Sequence, residues 1–379
     1  MRKQYLLTPG PTMVPEKVLA TMSKPIIHHR TPQFSAVMED VKAGLKYLYQ
    51  TKQDVMMLLS SGTGAMDAAV TNLFCRGDKV ITINAGKFGD RWTKICKAYE
   101  LNVIELKIEP GSSATAKQVE ELLDKNPDVR GVLFQASETS TGALMPTKEI
   151  CALTRSRKNC INVVDAITAL GVFDLPMDDW NIDVMLTGSQ KALMLPPGLT
   201  CIALSDKAWT FNDTANIPHF YFDLAKEKKA LAKGQSAWTP AISHIMGLQE
   251  ALKMIRDEGL HNIFKRHDLL AKATRNAVKA LGLELLAKEA PSPAVTAVRV
   301  PAEIKDGKLI PKTMRDKYGV SIAGGQDELE GKIFRLTHLG YIDRFDILVG
   351  IGALELTLHE LGYTKHALGT GTGAVLQTY

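Results

Sequence analysis

A lysine standing just past a short apolar run is in an unusual position, and Lys191 follows Ile182-Asp-Val-Met-Leu-Thr-Gly-Ser-Gln190 in this way. The run reads as a buried strand entering a turn at Thr187-Gly-Ser189, with Pro196-Pro-Gly198 soon after. An ammonium there loses hydration, which disfavours its charged form and leaves a nitrogen able to condense with the carbonyl of a substrate or of pyridoxal phosphate. The local sequence alone equally describes a loop lysine in water. Its companions decide the matter. Upstream, Ile161-Asn-Val-Val-Asp165 ends a second apolar run in a carboxylate. The carboxyl ends of parallel strands share one edge, so Asp165 and Lys191 are expected to face one crevice. A pyridine ring needs this pair, because an aspartate against its nitrogen keeps it protonated and electron-withdrawing. Taken singly, Asp165 is also an ordinary helix N-cap. A third stretch, Leu58-Leu-Ser-Ser-Gly-Thr-Gly-Ala-Met-Asp67, brings small residues to the start of a helix, where backbone N–H groups and the helix dipole suit a phosphate. Neither a dinucleotide fingerprint nor a P-loop fits it, since Asp67 replaces the third glycine and no Gly-Lys-Ser/Thr follows.

With Ser61-Gly-Thr-Gly64, Val164-Asp165 and Gly188-Ser-Gln-Lys-Ala192 in this order, the chain resembles the class V, fold-type I aminotransferases, within them the alanine–glyoxylate and serine–glyoxylate (serine–pyruvate) group. The likeness runs from Leu7-Thr-Pro-Gly-Pro11 through Ser140-Thr-Gly142 to Lys332-Ile-Phe-Arg-Leu-Thr-His-Leu-Gly340. It implies pyridoxal 5′-phosphate as cofactor, bound through Lys191, with Asp165 at the ring nitrogen. Thr63, Gly64 and Ala65, with Gln190 close by, fall where the family holds the phosphate. Phe88 falls where relatives often stack a tryptophan, and Thr139 matches a hydroxyl residue near the ring oxygen. Arg335 matches an arginine that forks onto the substrate carboxylate. Thr239 resembles a residue that reaches the phosphate of the neighbouring subunit, which implies a homodimer with sites at the subunit interface. Related desulfurases and lyases usually carry histidine before the lysine; Gln190 stands here and argues against sulfur chemistry.

The activity so implied is transamination from a small amino acid, alanine or serine, to a small 2-oxo acid, glyoxylate. An alternative keeps the cofactor and takes another small amine donor such as an aminophosphonate, with pyruvate as acceptor. A catalytically silent binding or structural subunit fits poorly while both Lys191 and Asp165 are present. A nucleotide-binding oxidoreductase would rest on Ser60 to Gly64 alone and leave Lys191 without a role.

The elements that must position these residues alternate along the chain. Val55-Met-Met-Leu-Leu59, Lys79-Val-Ile-Thr-Ile83, Val103-Ile-Glu-Leu106 and Gly131-Val-Leu-Phe134 read as strands, each followed by a helical pattern, and Leu199 to Leu204 reads as one more strand. An α/β fold is expected, with a mostly parallel sheet flanked by helices and a smaller C-terminal α+β domain. The expected divisions are an extended N-terminal arm over 1–20, a large cofactor-binding domain over 21–258 and a small domain over 259–379, with the change at Asp257-Glu-Gly259. Within the small domain, Val295 to Val300 and Ile333 to Leu336 read as strands, and Ala367 to Tyr379, with three glycines, as a mobile tail. Phe220-Tyr-Phe222 reads as core packing and His338 as a satisfied structural histidine. His28 reads as solvent-exposed, with Arg30 a candidate at the edge of the substrate pocket.

At 379 residues, with 45% hydrophobic and 23% charged residues, the composition is that of a globular protein with a large core. The net charge of +5 is spread out, and Lys226-Glu-Lys-Lys229 reads as a solvated helix face, so no nucleic-acid partner is expected. Five cysteines without a Cys-x-x-Cys pair point away from a metal site or a disulfide framework and toward a reducing, cytoplasmic setting. No signal peptide or membrane-crossing run is read, so no membrane partner is expected.

Overall fold

The computed structural model describes residues 3–379, so the first two residues of the expected arm lie outside the described residues. Seven strands form the central sheet: β1 (Val55–Leu58), β2 (Lys79–Asn84), β3 (Asn102–Lys107), β4 (Gly131–Gln135), β5 (Ile161–Asp165), β6 (Val184–Gly188) and β7 (Thr200–Leu204). Their spatial order is β1-β7-β6-β5-β4-β2-β3, all parallel except β7, which runs antiparallel to both β1 and β6. The reversal follows from chain length. The links before β2 to β5 each contain a crossover helix, whereas the short Ser189–Leu199 link has none and returns the chain antiparallel. Every residue of β4, β5, β6 and β7 is buried, as a sheet covered on both faces requires.

From Pro32 the spacing of Phe34, Val37, Val41, Leu45 and Leu48 predicts a helix, and one spans Pro32–Tyr49, with Thr31 as its N-cap. Its Phe34, Val41, Leu45 and Leu48 are buried as the spacing predicts, in the same apolar cluster as the sheet. A long helix, Ile242–Glu258, stops at Gly259 (φ 80°), and Leu260–Ala280 begins there at once. Beyond it, Val295–Arg299, Ile333–Thr337 and Ala323–Gly324 form an antiparallel sheet with a second apolar cluster of its own. Among the described residues, no helix is long and apolar enough to cross a membrane.

Several expectations are corrected. The arm is extended at its start, where Tyr5–Leu6 pairs in parallel with Val320–Ser321, but not throughout, because the chain turns helical over Glu16–Met22. Leu7 belongs to the second cluster and Val18 to the first, so apolar burial at both ends ties the arm down. The tail is ordered as well. Thr370–Leu376 is a helix whose buried Val375 joins the second cluster, and the buried Glu355 carboxylate accepts from Gly371 N at 2.8 Å. The small residue at 371 is what admits this approach: a Cβ there would lie 2.9 Å from Ile351. Phe220 and Tyr221 are largely exposed, 70% and 43%, rather than core, while Glu227 of the supposedly solvated face turns inward.

Candidate active site

The carboxyl ends of β1, β2, β4, β5 and β6 lie along one edge of the sheet, and each passes into a residue the sequence singles out. β1 leads to Thr63, β2 to Phe88, β4 to Thr139, β5 ends in Asp165 and β6 leads to Lys191. Local structure fixes the entrances. Ser61 is the N-cap of Gly62–Leu73 yet makes no side-chain cap; Gly64 N donates back to Ser61 O at 2.9 Å, and among the described residues the Gly62 and Thr63 amides are left to a ligand. Gly62 lets the buried Ile167 side chain pack close, since a Cβ there would lie 2.3 Å from its Cδ1 and force it to move.

Lys191 is buried, and its Nζ donates to the carbonyl of Pro9 at 2.5 Å. Gly10 closes over it, because a Cβ at that residue would come within 1.9 Å of the amine; its φ of +135° also favours glycine. Thr12 completes the strap by donating its hydroxyl to Lys191 O at 3.0 Å. Burial brings the lysine pKa down to about 8; Arg335 and Arg91 act in the same direction, while Asp165 opposes them. Asp165 accepts from Ile167 N at 2.8 Å, and burial pushes its pKa up to about 7, an effect increased by Glu138 and reduced by Arg91 and Lys191. The two groups sense one another's charge but form no ion pair among the described residues.

Arg335 comes from the C-terminal part of the chain, and its guanidinium donates to Gly324 O at 3.0 and 2.8 Å and to Thr139 O at 3.0 Å. Backbone carbonyls take three of its five N–H groups, which leaves two for the substrate carboxylate expected from the sequence. A buried cation near an amine of lowered pKa and a carboxylate of raised pKa is an arrangement for proton transfer on an anionic substrate.

The class-V aminotransferase family model matches residues 4–332. The chain belongs to the class-V aminotransferases. It is a pyridoxal-phosphate-dependent transaminase of α/β fold. Its sequence is 41% identical over 375 residues to a protein of Synechococcus sp. (strain PCC 6716) named soluble hydrogenase, small subunit, covering 98% of this chain and 97% of that protein. It is 35% identical to the L-aspartate–glyoxylate aminotransferase of Paracoccus denitrificans, covering 99% and 96%. The ureidoglycine–glyoxylate aminotransferase structure from Bacillus subtilis superposes with a TM-score of 0.95 at 28% identity, covering 100% of this chain and 98% of that one.

In this aminotransferase the residues present suit the family's cofactor. The uncapped helix start offers donors to a phosphate, and Gln190 beside Gly188 has its Oε1 buried with no hydrogen-bond partner among the described residues, so that a half-turn of the amide would present its NH2 group to the anion. Thr139 Oγ1 is 2.8 Å from Thr168 Oγ1, and half-buried Phe88 begins the helix Lys87–Ala98. Thr239 is exposed and lines a groove with Tyr221, Phe222 and Trp238, where this chain brings it into no hydrogen bond with Lys191, Asp165 or Thr63. His338 is structural, bonded to Thr296 Oγ1 at 2.9 Å and Pro293 O at 2.6 Å, with burial lowering its pKa to about 3. Both His28 and Arg30 are exposed.

Three groups were not read as functional from the sequence. Glu138 is fully buried and its carboxylate accepts from Phe88 N, Gly89 N, Ser140 N and Ser140 Oγ, so it fixes the loop that presents Phe88 to the loop that presents Thr139. Arg91 donates to Thr63 Oγ1 at 2.9 Å. Pro9 receives the lysine amine. Glu138 directly precedes Thr139 and Arg91 stands three residues after Phe88, and a charge so close to a singled-out residue was the available signal. Pro9 acts through its carbonyl, and nothing in its side chain announces that.

Proposed function

We propose that the enzyme transfers the amino group of a small amino acid, alanine or serine, to glyoxylate, with pyridoxal 5′-phosphate joined to Lys191. The observation that carries this reading is a buried amine of lowered pKa and a buried carboxylate of raised pKa at one sheet edge, beside a cation with free donors. Asp165 would face the ring nitrogen, Phe88 the ring, Thr139 the ring oxygen, and Thr63, Gly64, Ala65 and Gln190 the phosphate, joined by Thr239 from a second copy in a homodimer. Bound there, the cofactor supplies an electrophilic aldehyde carbon and a ring able to delocalise electrons. Lys191, neutral in part near pH 8, takes the proton from the donor's Cα and later returns it. Arg335 holds the carboxylate through its two remaining N–H groups, which turns Cα toward the amine. Burial around Lys191 keeps water from competing for that proton.

Support for glyoxylate comes from the names of two similar proteins, the L-aspartate–glyoxylate and ureidoglycine–glyoxylate aminotransferases. The test is to mix the purified enzyme with single amino acids and follow the visible spectrum, then add glyoxylate and assay glycine. Alanine or serine should bleach the colour and glyoxylate restore it. Undiminished transamination by Lys191→Ala, or amino-acid turnover unaffected by Arg335→Ala, overturns the assignment of those residues.

A further inference from the structure

We infer that Arg91 is a positioning residue that sets the direction of the Thr63 hydroxyl proton, so that Thr63 can only donate to the anion held at the start of the Gly62–Leu73 helix. The inference rests on the cofactor reading above and adds a residue to it. A guanidinium has donors and no acceptor. Its hydrogen bond to Thr63 Oγ1, 2.9 Å long, therefore occupies a lone pair of the hydroxyl and never its proton. Thr63 Oγ1 has no other hydrogen-bond partner among the described residues, so its proton remains free to meet a phosphate oxygen.

The same guanidinium lies 4.9 Å from the centre of the Phe88 ring, close enough for a cation–π contact. One side chain thus touches both the helix start and the aromatic ring. Among the described residues no carboxylate is within ion-pair distance of Arg91. Its charge accordingly remains uncompensated and acts on Asp165 and Lys191, in both cases lowering the pKa. A threonine left without this arginine could turn its proton toward the carbonyl three or four residues back, Ser60 or Leu59, and present a lone pair to the phosphate, which repels it.

The experiment strips the enzyme of cofactor, titrates back either pyridoxal phosphate or pyridoxal, and reads the dissociation constant by the return of colour. Arg91→Met should weaken pyridoxal phosphate by about tenfold or more and pyridoxal by much less, with Arg91→Lys recovering part of the loss. In a Thr63→Val background the Arg91 substitution should change affinity by no more than about twofold, since coupled neighbours are not additive. Arg91→Gln serves in place of the methionine variant if thermal melting shows that variant unfolded. Equal losses for the two ligands, or the same loss with and without the Thr63 hydroxyl, overturn the inference while leaving the cofactor reading intact. An unsubstituted enzyme that takes up neither ligand overturns both.

Discussion

Strand β6 carries an aspartate–lysine combination at each end, and the two ends use it differently. Before the strand, Asp183 accepts from Asn162 N at 3.1 Å and Ser205 Oγ at 2.9 Å, and lies 3.4 Å from the Lys207 ammonium. That ammonium donates in addition to Thr154 O and Cys160 O, at 2.8 and 2.6 Å. After the strand and among the described residues, Lys191 has only the Pro9 carbonyl, and Asp165 at the end of the neighbouring strand only the Ile167 amide. Both aspartates have their pKa raised by burial, but of the two only Asp183 has a lysine within ion-pair distance among the described residues. A buried charge whose bonding capacity is used up belongs to the architecture. One that is kept apart from its counter-charge retains capacity for a ligand.

Exchanging the groups one at a time sharpens that contrast. The largest effect is expected for Lys191→Met, which should lower transamination by on the order of 10⁴-fold while the melting temperature holds or rises. Asp165→Asn should lose on the order of 10³-fold and likewise melt no earlier. At the other end Asp183→Ala should do the reverse, costing about 2–3 kcal/mol of stability in denaturant titration while the folded fraction retains its turnover. If Asp183→Ala proves as inactive as Asp165→Asn at full folding, the two ends are not distinct.

The pH dependence of stability separates the two active-site groups. In the cofactor-free protein Asp165 has a folded pKa above its unfolded one, so its ionisation destabilises the fold as pH rises from about 4 to about 7. Lys191 has a folded pKa below its unfolded one, so the penalty for its charge is present below about pH 8 and is relieved as pH rises toward 10.5. Lys191→Met should therefore be more stable than the parent at pH 6, by on the order of 3 kcal/mol at most, with the gap closing by about pH 10. Asp165→Asn should show its gain at pH 8 and lose it near pH 4. Parallel stability curves for parent and variants would contradict the burial argument. The smallest effect is expected far from the site: Glu355→Ala, which uncaps the last helix, should cost about 1 kcal/mol and leave the kinetics unchanged.

Much of this site was legible in the residues. Lys191, Asp165 and the Ser60–Gly64 turn all stand at ends of apolar runs, and a parallel sheet brings such ends to one edge whatever the helices between them contain. The roles of Glu138 and Arg91 were not legible, because each acts on a segment distant in the chain, Phe88-Gly89 and Thr63 respectively. The arm and tail were misread for a related reason. Proline, threonine and glycine describe a chain with no strong preference of its own, and burial of Leu7, Val18 and Val375 against distant residues overrides it.

Local order in the chain, then, determined the strands, the crossover helices and the identity of the lysine and its aspartate, because apolar periodicity and turn residues act over a few positions. Only the folded molecule decided that Pro9 and Gly10 close over the amine, that Arg335 is held by carbonyls with donors to spare, and that Arg91 reaches Thr63. Those are contacts between segments far apart in sequence, and hydrogen-bond geometry between such segments is set by how layers pack rather than by any residue's own preference.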